Sequence, residues 1–254
     1  MRLSPATQLR ARRLLAEFVG TGLLVAVVVG SGIAAQNLSS DSGLQLLENS
    51  LVTAAGLAVL ILVFGPVSGA HFNPLVSALD WWLGRRSRTG LHIGELPGYA
   101  VAQVVGGIGG ALLADGMFDR PLVAGSQHVR TGAHLWLGEV VATAGLLLVI
   151  VALARTGNAR ATPWAVGAYI GAAYWFTSST SFANPAVTVG RSFSDTFAGI
   201  APASVLGFVA AQVCGAGVGL LLIVALYPDV AAVADGLVVP HPAITSGTSK
   251  GRTT

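Results

Sequence analysis

The chain has 254 residues, of which 53% are hydrophobic and only 10% are charged, and its mean hydropathy is +0.72. This composition excludes an ordinary soluble domain and indicates a polytopic membrane protein. The net charge of +3 comes from few residues clustered in loops, which argues against nucleic-acid binding, and a single cysteine, Cys214, excludes a disulfide framework.

Six apolar runs predict membrane-spanning helices. Residues 1–13 carry four arginines and no cleavage site follows them, so we expect a cytoplasmic tail rather than a signal peptide. Two short segments that begin with Asn-Pro follow the second and the fifth span. The polar stretch 228–254 is expected to be a disordered cytoplasmic tail. The predicted spans are roughly 14–35, 50–64, 93–114, 135–154, 162–176 and 201–227.

The basic residues predict how these spans are oriented. With both termini in the cytoplasm, eleven of the fourteen Lys and Arg residues fall on the cytoplasmic side. Only Arg120, Arg130 and Arg191 fall on the outer side. We therefore expect a multi-pass protein of the plasma membrane with both ends inside the cell.

Two short motifs occur 111 positions apart, Asn73-Pro74-Leu75 and Asn184-Pro185-Ala186. Each follows a long apolar run and a turn of small residues. Because Asn is a strong N-cap and Pro is favoured in the first helical turn, each motif predicts a helix that begins at membrane depth. A lone Asn-Pro usually marks only a turn or a helix start. Two of them in matching positions indicate a binding or permeation device.

Further matching motifs reveal an internal repeat. Glu17 in the first span corresponds to Glu139 in the fourth, and Gln103 in the third corresponds to Gln212 in the sixth. Each half, about 14–116 and about 135–227, therefore contains three spans and one half-helix. Since three is odd, the second half enters the membrane from the opposite side. The result is an inverted repeat with its site at the midplane.

These motifs together resemble the aquaporin (major intrinsic protein) family over residues 14–227. The resemblance implies an all-α membrane protein with six transmembrane helices and two re-entrant half-helices whose N-termini meet. It implies a passive channel for small uncharged solutes, with Asn73 and Asn184 as hydrogen-bond donors and with protons and ions repelled by the helix N-termini. It also implies a homotetramer in the lipid bilayer.

Chemical motifs of other kinds are missing from the sequence. It has no zinc-binding spacing, no phosphate-binding loop and no catalytic triad in a plausible context. We therefore expect neither an enzyme nor a bound metal or cofactor.

Glu17 and Glu139 lie in apolar spans, where an ionisable group is usually functional. The resemblance implies that each accepts hydrogen bonds from the loop of its own half. The alternative function is a proton-coupled transporter of a small solute in which one of them carries the proton. His71 is expected either to line the cytoplasmic half of the pore or to brace its loop, and both interpretations stay open.

The sequence departs from the family at the narrowest part of the pore. Most members carry Arg three residues after the second Asn, where this chain has Val187. Arg191 lies one turn further along, about 6 Å at the helical rise, and is expected either to rim the outer vestibule or to snorkel. Helix matching assigns Ala55 and Tyr174 to the filter beside Val187 and Ser181, whereas counting back from each Asn gives Thr53 and Ala172.

Such a filter has small side chains, one aromatic ring and no fixed cation. It should be wider and less polar than the filter of a water-only pore. Loss of the Arg also resembles a bacterial branch associated with metalloid passage. We therefore expect undissociated arsenite and related hydroxides and glycerol-like polyols as solutes, with water as a further candidate.

Overall fold

The computed structural model describes residues 4–87 and 89–227, and within these ranges every regular element is helical. The predicted tail 228–254 lies outside the described residues. Two short 3-10 turns, Ile93–Glu95 and Ala159–Ala161, precede the fourth and the sixth helix. The helices are α1 (Pro5–Leu38), α2 (Ser42–Ser68), α3 (Pro74–Gly84), α4 (Leu96–Met117), α5 (Ala133–Arg155), α6 (Thr162–Phe176), α7 (Pro185–Arg191) and α8 (Pro202–Leu226).

Each predicted span corresponds to one helix. By length and composition, α1, α2, α4, α5 and α8 suffice to cross a membrane. α6 has the predicted bounds but only 15 residues, fewer than the roughly 20 that the hydrocarbon core requires. It is short because the chain leaves the helix at Thr177 and enters the loop before the second Asn-Pro motif.

The first two helices begin earlier than their apolar runs indicate. The Ser4 hydroxyl accepts a hydrogen bond from the Thr7 N–H and Pro5 occupies the first turn, so most of the expected N-terminal tail is helical. Asp41 caps α2 in the same way by accepting from the Leu44 N–H at 2.8 Å. Hydropathy misses these polar first turns because caps, and not apolar residues, define them.

Glycine contacts hold the long helices close together within each half. A Cβ atom on Gly110 of α4 would overlap the Gly22 carbonyl oxygen of α1. In the second half, a Cβ on Gly215 of α8 would lie 2.6 Å from the Val140 carbonyl oxygen of α5. Membrane helices approach this closely only where the side chain is a hydrogen atom or very small. Gly106 of α4, the counterpart of Gly215, likewise faces the Phe18 carbonyl oxygen of α1, so the internal repeat of the sequence is also a repeat of packing.

The half-helices α3 and α7 begin inside the protein, as the Asn-Pro motifs predict. The Asn73 Oδ1 accepts from the Leu75 N–H at 3.0 Å, and the Asn184 Oδ1 accepts from the Ala186 N–H at 2.9 Å. The asparagines are only 3% and 6% exposed. Both helix N-termini are therefore capped by a side chain and lie deep in the protein, where they position the site.

Candidate functional site

The two Asn-Pro motifs are joined by crossed hydrogen bonds. The Asn73 Nδ2 donates to the Ala183 carbonyl oxygen at 2.8 Å, and the Asn184 Nδ2 donates to the Phe72 carbonyl oxygen at 2.7 Å. Each asparagine thus caps its own helix and binds the loop of the other half. Because a side-chain amide has two donor hydrogens, one on each asparagine remains for a solute.

The loops before α3 and α7 share an uncommon backbone conformation. The angle φ is 50° at Ala70, Phe72 and Ser181 and 49° at Ala183, and the two pairs are again 111 positions apart. For residues other than glycine this region costs on the order of 1–3 kcal/mol each and persists only where surrounding contacts enforce it. Buried carboxylates supply those contacts in both loops.

Glu17 holds the first loop through four hydrogen bonds. Its Oε1 accepts from the Ser68 hydroxyl at 2.6 Å and from the His71 N–H at 3.0 Å. Its Oε2 accepts from the Phe72 N–H at 2.8 Å and from the Gln103 side-chain amide at 2.7 Å. These contacts are the ones that a loop-supporting role requires.

Glu139 holds the second loop in the same manner. Its Oε1 accepts from the Phe182 N–H at 2.8 Å, and its Oε2 accepts from the Ala183 N–H at 2.8 Å and from the Gln212 amide at 2.6 Å. Glu17 and Glu139 are both fully buried, and neither is among the side chains that line the central cavity. Each glutamine reaches across from another helix and so joins the carboxylate to the helix bundle.

The central cavity passes both asparagines and has a largely apolar wall. Leu24 and Val28 of α1 line it, as do Leu146 and Ile150, which occupy the corresponding positions of α5. The polar residues that line it are fewer: Thr53, His71, Asn73, Tyr174, Ser181, Asn184 and Arg191. Apolar walls with a few placed polar groups suit a small neutral solute that carries several hydroxyls.

His71 combines the two positions that the sequence left open. It lines the cavity, and its Nδ1 lies 3.1 Å from the Ser77 Oγ at the second turn of α3. Its ring centroid is 5.5 Å from that of Tyr99. His71 is therefore packed against its surroundings and also presents an edge to the path.

The structure separates the alternative filter residues. Val187, Ser181 and Tyr174 line the cavity, and so does Thr53, whose Oγ1 lies 3.2 Å from the Tyr174 hydroxyl oxygen. The assignment of Ala55 is wrong, because Ala55 is exposed and not part of the lining. Two residues turn a helix by about 200°, so Thr53 and Ala55 face opposite sides of α2.

Each alignment rule succeeds in one half of the chain and fails in the other. Counting back from the Asn finds the inward residue Thr53 in the first half, and matching helices finds Tyr174 in the second. The two loops also differ in length, since residues 69–73 lie between α2 and α3 and residues 177–184 lie between α6 and α7. Ala172, the counted alternative to Tyr174, is exposed like Ala55.

Arg191 does not lie in an open vestibule, so that prediction is wrong. Its side chain is 2% exposed and lines the same cavity as Val187. Its guanidinium carbon lies 3.5 Å from the centroid of the Phe182 ring, beside the Tyr174 hydroxyl. Helical side chains lean toward the N-terminus, so this long side chain can reach back along α7 toward the level of Val187. The filter region therefore contains a cation, contrary to the sequence-based prediction.

Arg130 is a second cation at this end, and sequence reasoning gave it no role. It comes from the connection between α4 and α5, and its guanidinium carbon lies 5.2 Å from the centroid of the Phe182 ring. Burial and the positive charge of Arg191 lower the pKa of Arg130 to about 9, so it remains charged at neutral pH. The predicted topology contained a signal for this pairing, because it assigned only three basic residues to the outer side and Arg130 and Arg191 are two of them.

Comparisons with known proteins agree with this architecture. Residues 5–178 match the family model for the major intrinsic protein. The aquaglyceroporin AqpS of Rhizobium meliloti is 51% identical over 211 residues, which cover 83% of this chain and 88% of the relative. The glycerol uptake facilitator protein of Pseudomonas aeruginosa is 32% identical over 167 residues, or 57% of each chain. An X-ray structure of the aquaglyceroporin from Plasmodium falciparum superposes with a TM-score of 0.63 at 20% identity, covering 87% of this chain and 98% of that one.

Proposed function

Because the chain belongs to the major intrinsic protein family, whose aquaglyceroporins are passive channels, we propose that it conducts glycerol-like polyols and undissociated arsenite and excludes protons and ions. It is a multi-pass membrane channel for small solutes and not an enzyme. Water is included in the proposal as a third solute.

The crossed asparagines are the observation that carries the proposal. Asn73 and Asn184 each have one amide hydrogen that is not used by the opposite loop, and both line the cavity. A solute hydroxyl that passes this point can accept a hydrogen bond from each asparagine in turn. The apolar wall meanwhile contacts the carbon or arsenic atoms of the solute. The adjoining N-termini of α3 and α7 carry partial positive charge, which disfavours a cation or hydronium at the same point.

Val187 supports the inclusion of arsenous acid and glycerol. Its branched side chain is small and has no hydrogen-bonding group, so it neither fills the path as a guanidinium would nor holds a solute. Arsenous acid resembles a short polyol, because it presents three hydroxyls and is uncharged at pH values below its first acid dissociation. The relationship to AqpS, an aquaglyceroporin, supports the glycerol-like part of the proposal.

Glu17 and Glu139 give no support to coupled transport. Donors from the protein engage both oxygens of each carboxylate, and neither residue lines the cavity. A proton carrier requires alternating contact with water on the two sides of the membrane. A passive channel equilibrates its solute, whereas a coupled carrier accumulates it, so the two functions predict different end points.

Stopped-flow measurements on proteoliposomes test the proposal. Vesicles that contain the protein should shrink and then reswell faster than protein-free vesicles in gradients of glycerol and of arsenous acid. The final internal concentration should equal the external one, with or without an imposed pH gradient. Permeabilities equal to those of protein-free vesicles would contradict the channel proposal, and accumulation driven by the pH gradient would favour the carrier.

We also propose a homotetramer in the plasma membrane with both termini in the cytoplasm. The orientation is supported by Arg85, Arg86, Arg155 and Arg160, which the topology groups on one side. In a Cys214→Ser background, Ser87→Cys should react with an impermeant thiol reagent only in inside-out vesicles, and Gly125→Cys only in intact cells. Native mass spectrometry in a mild detergent should give four copies, and a monomer would contradict the tetramer.

A further inference from the structure

Arg191 and Arg130 converge on one aromatic ring at the outer end of the cavity. Their guanidinium carbons lie 3.5 Å and 5.2 Å from the centroid of the Phe182 ring. In the described ranges, 4–87 and 89–227, neither arginine has a carboxylate within ion-pair distance. Two positively charged side chains therefore lie beside the same ring without an anionic partner among the described residues.

Carbonyl groups of one loop hold both guanidinium groups in place. The Arg191 Nε donates to the Ala198 carbonyl oxygen. The Arg130 Nε donates to the Gly199 carbonyl oxygen at 2.8 Å, and its Nη2 donates to the Phe197 carbonyl oxygen at 3.1 Å. Three successive carbonyls between α7 and α8 thus fix two side chains that come from different parts of the chain.

This loop is itself tied to the connection between α4 and α5. The Ala201 N–H donates to the His128 carbonyl oxygen at 2.8 Å, and the Arg130 N–H donates to the Ser204 hydroxyl at 3.0 Å. The loop carbonyls therefore hold both arginine side chains, and the Ser204 hydroxyl of α8 also holds the backbone of Arg130. These hydrogen bonds hold the two arginines in fixed positions, unlike a pair of solvated arginines at a surface.

Burying two like charges is unfavourable, and the carbonyl groups and the ring offset only part of the cost. A permeation path gains from such charges in two ways, because fixed cations exclude mobile cations and free guanidinium N–H groups donate to solute oxygens. For Arg191 the loop engages the Nε, so the Nη groups face the remaining surroundings, which include the Tyr174 hydroxyl.

We propose that Arg191 is the residue that determines selectivity against cations in this channel, and that Arg130 positions it through their shared loop and ring. Arg191 replaces the charge that is missing at Val187, from one helical turn further out. Width and charge are then set by different residues: Val187 leaves the path wide enough for polyols, while Arg191 supplies the electrostatic barrier. The inference deepens the proposed channel function and rests on it.

Ion leak in proteoliposomes distinguishes this role from a structural one. Arg191→Gln, which keeps much of the length but removes the charge, should raise the leak of Na⁺ or protons by about tenfold or more, as expected when a barrier falls by about 1.4 kcal/mol. Water permeability should persist. Arg130→Gln should give a smaller leak, because Arg191 keeps its charge but loses support for its loop. Arg120→Gln removes a charge from the same side of the membrane and should leave the leak unchanged.

A titratable replacement provides the sharper readout. In Arg191→His the leak should increase as pH rises from about 5 to about 8, because the imidazolium loses its charge across this range. A side chain that only fills space would give a leak independent of pH. An Arg191→Gln channel that conducts water but leaks no more than wild type would overturn the proposal, as would a leak in Arg191→His that does not change with pH.

The design also separates this proposal from the channel proposal. Failure of the wild-type protein to conduct glycerol or arsenous acid would refute the solute assignment, while water flux and ion leak would still report on Arg191. If Arg191→Gln does not fold, Arg191→Lys keeps the charge without the planar fork. It should retain cation exclusion, and a cation leak in Arg191→Lys as large as expected for a neutral side chain would overturn the assignment of the barrier to this charge.

Discussion

Replacing Asn184 with aspartate tests whether the crossed hydrogen bonds lie on the solute path. The Asn184 Oδ1 accepts from the N–H groups of Ala186 and Val187, and a carboxylate can accept both bonds. Asp and Asn are comparable N-caps, so α7 should still form. The Nδ2, in contrast, donates to the Phe72 carbonyl oxygen at 2.7 Å, and in Asn184→Asp two oxygens would meet there.

The expected magnitudes follow from the loss of one donor. A buried carbonyl left without its partner costs about 1–3 kcal/mol, which the fold should tolerate. A solute that loses one hydrogen bond of about 0.5–1.5 kcal/mol should cross roughly two- to tenfold more slowly. The adjoining helix N-termini favour the ionised carboxylate, so cation leak should rise as well.

The pH dependence gives the direction of the effect. At low pH the protonated carboxyl of Asn184→Asp can donate its single hydrogen to the Phe72 carbonyl again, which removes the negative charge but leaves no donor for the solute. Cation leak should therefore fall as pH falls and rise as pH rises, while glycerol flux stays below that of the wild type throughout. The assay is cation leak and glycerol permeability of proteoliposomes across this pH range. Asn73→Asp should behave alike, because its Nδ2 donates to the Ala183 carbonyl oxygen at 2.8 Å. Asn158→Asp, in the exposed turn after α5, is the control. Wild-type permeability in a folded Asn184→Asp protein would refute the assignment of this amide to the pore.

Three further substitutions test the filter and the packing. Val187→Arg should reduce glycerol permeability far more than water permeability, because added bulk rejects the larger solute first. An unchanged ratio of glycerol to water permeability would show that Val187 does not line the narrowest part of the pore. Thr53→Val should alter the glycerol-to-water ratio and Ala55→Val should not, and the reverse result would restore the rejected alignment. Gly110→Ala should destabilise the protein by about 1–3 kcal/mol through overpacking against α1, seen as a lower unfolding temperature. Gly109→Ala, where an added Cβ meets nothing within 4 Å, should not do so, and equal shifts would contradict the packing argument.

Local chemistry made much of the fold predictable. Each Asn-Pro pair contains the cap and the first turn of its own helix, so four residues sufficed to place α3 and α7. Glu17 and Glu139 stood out because an ionisable group in an apolar run needs partners. Sequence repetition marked Gln103 and Gln212, but only the folded structure shows them as two of those partners.

The filter was harder to predict because its residues are set by distances that the sequence does not contain. The choice between Thr53 and Ala55 depends on the length assumed for the loop between α2 and its Asn-Pro motif. Arg191 was misplaced because residue counting measures the position of the backbone and not the reach of a long side chain. Its partners, Phe182 and the loop carbonyl of Ala198, come together only in the folded chain.

The crossed amides also constrain how the protein is made. During synthesis Asn73 emerges well before Ala183, the residue whose carbonyl its amide binds, and Phe72 waits equally long for Asn184. The first half can therefore insert and pack with Glu17 bound to its loop, but the Phe72 carbonyl oxygen and the Asn73 side-chain amide lack their crossed partners until the second half arrives in the opposite orientation. The last contacts to form during biogenesis are thus the ones that a solute meets at the centre of its passage.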